Sequence, residues 1–278
     1  MRTHQVVRRV VASGLRTARR QLEDMSLRLS STLEGYSFDS GKYPGSFVAE
    51  SETVPWSPPS RELPREIWCF WTGTNEMSKD RARCLQQMKQ MNPIRLVTAD
   101  TIGDVLVDGF PMHPGYEYLS LNHRSDYLRA YVMHHHGGGY SDIKVHPRPW
   151  GRAFARLDAS EDKWMIGYPE RTSRDVAALS GTLGADLRKN YRRLRGCGAF
   201  IFRPGSPMTQ EWLGEVDARM TRALPQLEEH PGNTWGDNEG YPFQWAELMG
   251  SVFHPLSLKY HDRLLADGSI RPRMTGYR

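Results

Sequence analysis

The spacing of apolar residues changes several times along the chain, and each change marks an element. From residue 3 to 33, Val7, Val11, Leu15, Ala18, Leu22, Met25, Leu29 and Leu33 recur every three or four positions and predict one amphipathic helix. The period is lost over 35–62, where Pro44, Pro55, Pro58 and Pro59 stand among Gly and Ser, which predicts a linker or a surface wrap. Glu66-Ile67-Trp68-Cys69-Phe70-Trp71 is a short apolar run and predicts a buried strand. Residues 78–91 predict a helix capped by Ser78, with Ala82, Leu85, Met88 and Met91 facing the core. Residues 94–97 give a second strand, and a helix over 121–136 stops at three glycines, 137–139. Strands are predicted at 140–146, 164–168 and 198–202, with a helix at 206–224. From Pro231 onward the chain is rich in aromatics, Pro and Gly, which predicts an irregular but packed segment.

Strands alternating with helices imply an α/β fold with a mostly parallel central sheet. The site of such a sheet lies beyond the carboxyl ends of its strands. Two elements carry chemistry. On the helix at 121–136, Leu121, Leu128, Val132 and His135 share one face, while Asp126 and Arg129 lie on the other as an i,i+3 pair. The plain alternative for that pair is an exposed salt bridge. On the strand at 140–146, alternation sends Tyr140, Asp142, Lys144 and His146 one way and Ser141, Ile143 and Val145 the other. Its polar face meets either solvent or a ligand.

Charge narrows the function classes. Six of the 37 basic residues are arginines within 1–20, where there is no acid, and the remaining 31 are matched by 32 acids. The sequence pI of about 9.1 therefore belongs to an arm, and no nucleic-acid surface is indicated. A basic amphipathic helix fits an anionic membrane surface, the alternative being a helix packed on its own domain or on a second copy. No run approaches the roughly 18 apolar residues of a membrane span, and Arg8, Arg9 and Arg16 interrupt any secretory-type core. Three scattered cysteines (Cys69, Cys84, Cys197) fit reduced thiols in a cytoplasmic protein, peripheral to the inner membrane face if the arm binds there.

The run Ser125-Asp126-Tyr127-Leu128-Arg129, followed by Gly137-Gly138-Gly139-Tyr140-Ser141-Asp142, resembles a known family region. It is the DXD-containing sugar-binding region of fungal-type initiating mannosyltransferases, bacterial capsular polysaccharide synthesis proteins and glucosylating bacterial toxins. Leu63-Pro64-Arg65-Glu66-Ile67-Trp68-Cys69-Phe70-Trp71 looks like that family's first strand, and 241–250 resembles the C-terminal half of its bacterial members. The resemblance implies a GT-A-like domain over 63–278, after an arm (1–34) and a linker (35–62). It implies sugar transfer, with retention of configuration, from a UDP- or GDP-sugar donor to a carbohydrate or lipid-linked hydroxyl acceptor. Donor contacts are implied at Trp71, Asp126, Arg129, Gly138, Tyr140 and Asp142. The competing class is a non-catalytic carbohydrate- or nucleotide-binding scaffold on the same fold.

Lys144 departs from the family's pair of acids, which helps to hold Mn²⁺ or Mg²⁺ against the donor diphosphate. A protonated lysine cannot ligate a metal. Either Asp142 binds the cation with help from Asp237, Glu239, His254 or His261, or Lys144 replaces the metal as a fixed positive charge. Asp142 and Lys144 are thus the candidate catalytic pair.

His134, His135 and His136 point three ways on a helix and cannot share one ion, and the glycines after them predict a tight reversal rather than a phosphate loop. The basic run 188–195 reads as a solvated loop or as an anion-docking segment. The polar loop 233–240, with Trp235, reads as a turn-rich connection or as a sugar-stacking loop.

Overall fold

The computed structural model describes Leu27, residues 35–50, Trp56 and residues 62–277. The predicted helix over 3–33 lies outside the described residues apart from Leu27, which is half-buried against a cluster built on Val176, Leu187, Tyr191, Leu194 and Leu258. After a single helical turn, α1 (Phe47–Glu50), strands and helices alternate. They are β1 (Ile67–Trp71), α2 (Lys79–Met91), β2 (Ile94–Thr98), α3 (Leu121–His135), β3 (Gly138–Ser141), α4 (Gly151–Asp158), β4 (Met165–Pro169), α5 (Gly181–Lys189), β5 (Arg195–Phe202), α6 (Pro207–Glu229), α7 (Gly250–Lys259) and β6 (Leu264–Ala266).

The six strands form one sheet in the order β2-β1-β3-β5-β4-β6. The β1/β2, β1/β3 and β4/β6 pairs are parallel, and β5 runs antiparallel to both neighbours. The sheet is therefore mostly parallel, as alternation predicted.

Strand alternation decides what covers each face. Trp68, Phe70, Tyr140, Met165, Phe200 and Phe202 point to one side and pack with residues of α3, α6 and α7. Ile67, Ile166 and Ile201 point to the other, under Trp150 and Phe154 at α4, and Cys69 meets Cys84, Leu85 and Met88 of α2. Strands buried on both faces are continuously apolar, which is why they were visible as runs.

Ser78 caps α2 by accepting the Arg81 N–H, as predicted, but Ala82 is exposed and Met91 only half-buried; Cys84 takes the inner position. The strand predicted over 140–146 begins two residues earlier and ends at Ser141. The cause is visible at Gly137 and Gly138, whose φ values of 66° and 84° turn the chain straight from α3 into the sheet. A Cβ on Gly138 would stand 2.9 Å from the Glu66 carbonyl.

Past Ser141 the alternation fails. His146 turns to the opposite face, where Nε2 lies 2.8 Å from Ser141 Oγ and the ring stacks on Trp150 at 4.8 Å. The predicted irregular segment after Pro231 contains α7 and β6. The first hides behind Pro255 and near-complete burial, and the second has three residues, too few to show a period. No helix of the described residues is long and apolar enough to cross a membrane.

Candidate active site

Helix α3 is the centre of the site. Ser120 caps it by accepting the His123 N–H, and from His123 to Met133 it is buried except for Arg124 and Ser125. A helix covered this completely has little amphipathic signal, and two of its three charged residues, Asp126 and Arg129, point into protein. Asp126 and Arg129 are 2% and 9% exposed, so the exposed-salt-bridge alternative fails.

Their ion pair closes at 3.1 Å, and Arg129 Nη2 is 3.8 Å from Asp142 Oδ1 at the end of β3. Helix and strand thus bring Asp126, Arg129 and Asp142 together at one corner. Arg129 also lies over the Tyr140 ring at 4.7 Å, and Tyr140 donates its hydroxyl to Asp142 Oδ1 at 2.8 Å. Lys144 donates to Asp142 Oδ2 at 2.8 Å. Its ammonium also stands 4.8 Å from the Tyr277 ring and 3.5 Å from Met274 Sδ, so the C-terminal segment covers the lysine.

Electrostatics follow from these contacts. Burial opposes the charge on Asp142, but the Lys144 ammonium, the Arg129 guanidinium and the two hydrogen bonds outweigh it and hold the carboxyl below its usual 3.8. Burial pushes Asp126 up, against the pull of Arg129. Burial works against charge on Arg129 too, and Tyr140, Asp126 and Asp142 together hold its proton more firmly than usual. Arg129 is generously placed but loosely bonded. Its bonds to the Cys197 carbonyl and Ser125 Oγ are both 3.4 Å, and its buried Nε has no partner.

The other predicted residues separate. Trp71 is at the carboxyl end of β1, half-buried, giving its Nε1–H to the Asn75 carbonyl. Gly138 is at the amino end of β3, about 10 Å of strand from its far end, so its place is the reversal and not the donor contact expected of it. Asp237 belongs to a loop where Asn233 Nδ2 donates to its Oδ1, and Glu239 is exposed beside it. His261 stacks edge-on to Tyr36.

Neither these groups nor His254 joins Asp142 to make an acidic site. Among the described residues no three His, Cys, Asp or Glu side chains come together to hold a metal ion. Asp142 has instead two cations and a hydroxyl on its oxygens, a donor set that does not fit a divalent cation. His134, His135 and His136 diverge to Thr209, Tyr131 and the Val105 carbonyl, as expected. In the basic run, Arg195 is buried and bonds the Leu264 and Leu265 carbonyls, tying β5 towards β6; it is a structural cation and no part of a solvated loop.

Sequence reasoning missed a second cluster on the same wall. His254 of α7 lies 3.5 Å from Cys197 Sγ and 3.3 Å from Glu170 Oε1, both through Nε2, while Nδ1 accepts the Ala177 N–H. Burial opposes a proton on His254, while the Cys197 sulfur and the Glu170 carboxylate at Nε2 favour one there. The Ala177 N–H nevertheless occupies Nδ1, so the geometry holds the ring neutral with its proton on Nε2. Tyr168 joins the two clusters: its hydroxyl accepts the Gly198 N–H at 3.2 Å, and a Cβ on Gly198 would stand 3.3 Å from that oxygen and 3.1 Å from Asp142 Oδ2. Residues 84 positions apart (Glu170 and His254) have no shared local pattern, so no sequence signal announced them.

No protein-family model matches the chain, and no curated protein matches it. Among solved structures, one titled "PaToxG Glycosyltransferase" is similar at 13% identity and a TM-score of 0.38, over 63% of this chain and 68% of that one.

Proposed function

We propose that the chain is a glycosyltransferase of GT-A type that takes a sugar from a nucleoside diphosphate donor. The observation that carries this reading is Arg129, a buried guanidinium at the sheet's carboxyl edge with an unpartnered Nε–H and two long hydrogen bonds. Its place beside Asp142, Tyr140 and Lys144 leaves this donor free to take an acceptor from a ligand. A diphosphate supplies acceptors of the right charge, and Arg129 and Lys144 supply a planar fork and a point charge to bind it.

The chemistry requires neutralising charge that grows on the leaving diphosphate as the glycosidic bond breaks. The cations Arg129 and Lys144 supply that charge, Arg129 from its buried place and Lys144 once it leaves Asp142, Tyr277 and Met274. Asp142 holds both cations in place in the resting site and faces the sugar when the diphosphate takes over Lys144. Asp126 keeps Arg129 aimed. The acceptor hydroxyl is that of a carbohydrate or lipid-linked glycan. The arginine-rich arm at 1–33 supports a further element, recruitment to an anionic membrane where such acceptors are assembled.

A panel of UDP-, GDP-, CMP- and dTDP-sugars tests the reading. One donor is expected to be cleaved slowly without acceptor, and Asp142→Ala and Asp126→Ala to abolish that cleavage. Binding of a donor without any turnover would instead support a non-catalytic scaffold. For the arm, removal of 1–33 should reduce binding to anionic liposomes while donor affinity holds; unchanged liposome binding removes the membrane element.

A further inference from the structure

Two tryptophans are left uncovered in a fold that buries or half-buries the other six. Trp235 and Trp245 are 59% and 58% exposed, whereas Trp68, Trp150, Trp164 and Trp212 are buried. The exposed rings are neighbours, with centroids 6.2 Å apart and planes at 32°. Paired exposed aromatics forgo burial and mark a surface that meets something.

Both rings stand on fixed backbone. Asn233 Oδ1 accepts the Trp235 N–H at 2.9 Å and the Gly236 N–H at 2.7 Å, and Asn233 Nδ2 donates to Asp237 at 2.7 Å. Beside Trp245, the Gln244 N–H goes to Glu247 at 2.9 Å, and the Gln244 carbonyl lies 3.1 Å from His123 Nε2. The anchor for both segments is the first turn of α3. Gly232 donates to the Tyr118 carbonyl, and the Tyr241 hydroxyl accepts the Ser120 N–H and meets His123 Nδ1 at 2.8 Å. From His123 the same helix carries Asp126 and Arg129 at successive steps of three, a rise of about 9 Å in all. The tryptophan pair therefore sits at the far end of the element that carries the donor cluster.

The surroundings select the occupant. Exposed Asn233, Thr234, Asp237, Glu239 and Gln244 offer hydrogen-bonding groups around the rings. Asp237, Glu239 and Glu247 make the patch acidic, which disfavours anionic nucleotides and anionic lipid. An apolar ring face bordered by hydroxyl-binding groups matches a pyranose, which has a C–H face for the indole and hydroxyls at its rim. We infer that Trp235 and Trp245 form a platform for an uncharged carbohydrate acceptor, directing its hydroxyl towards the donor site. This rests on the glycosyltransferase reading.

The test uses the full chain with manno-, malto-, cello- and chito-oligosaccharides as probes, followed by tryptophan fluorescence and calorimetry. At least one series should bind the unaltered protein. Trp235→Ala and Trp245→Ala should weaken it about tenfold, and Trp235→Phe less, as removal of one aromatic contact implies. Donor hydrolysis with water as acceptor should not change in these variants. No binding by any probe, or equal binding by the alanine variants, overturns the platform while donor hydrolysis keeps the enzyme reading. Oligosaccharide binding lost in the alanine variants of a chain that cleaves no donor overturns the enzyme reading and keeps the platform.

Discussion

Lys144 Nζ lies 2.8 Å from Asp142 Oδ2, so the residue that breaks the two-acid pattern is ion-paired to the acid that keeps it. The resting site is thereby balanced: Arg129 and Lys144 face Asp126 and Asp142. On the proposed function, a diphosphate entering it competes with Asp142 for the cations, and Lys144 must come out from under Tyr277 and Met274 to receive it.

On the proposed function, replacing Lys144 removes one charge-assisted contact to the donor. Lys144→Met should weaken UDP or GDP binding by roughly 10- to 100-fold, the usual worth of a hydrogen bond to a charged group. Lys144→Asp restores the two acids and should make nucleotide binding depend on added Mn²⁺. Titration calorimetry with and without the metal reads both effects, and an Asp variant indifferent to Mn²⁺ counts against the assigned geometry.

Breaking the Asp126–Arg129 pair leaves a buried carboxylate uncompensated. Arg129→Met should cost about 3 kcal/mol of folding stability, and adding Asp126→Asn should recover part of it. Urea unfolding of the two singles and the double gives the coupling; strictly additive losses would place the two side chains out of contact.

The helix was legible in the sequence because Asp126 and Arg129 stand away from Leu128 and Val132, but not the reason they matter. Wheel geometry cannot tell a polar face that meets water from one buried against β3 and β5, since both read alike. The strand was harder. Periodicity extended it through Lys144 and His146, whereas hydrogen bonding stops it at Ser141 and sends His146 to Trp150. The lysine still meets Asp142, across a bend and not along a pleat. His254, Cys197 and Glu170 come together only because β5 is antiparallel to β4 and α7 crosses above them, relations that no local pattern encodes.

Asp142 should leave a pH signature. Its folded carboxyl titrates below the unfolded value, so its stabilisation is present above that value and is lost as pH falls through the folded one. Asp142→Asn should therefore be less stable than the parent at pH 7, with the gap closing as pH drops below about 4. Thermal unfolding at several pH values checks this; a gap that widens in acid would contradict the sign.

Gly196 lies under the Tyr168 ring, where an added Cβ would collide with Cε2 and the hydroxyl. Gly196→Ala should cost about 1–3 kcal/mol by overpacking and, through Tyr168, also disturb the Gly198–Asp142 corner. Loss of stability with intact donor binding would uncouple Tyr168 from the site.

The measurement that bears most directly on the account is donor cleavage after exhaustive chelation. Fixed cations at Arg129 and Lys144 predict full turnover in chelator and no gain on returning Mn²⁺ or Mg²⁺. Turnover lost in chelator and restored by either ion would contradict it.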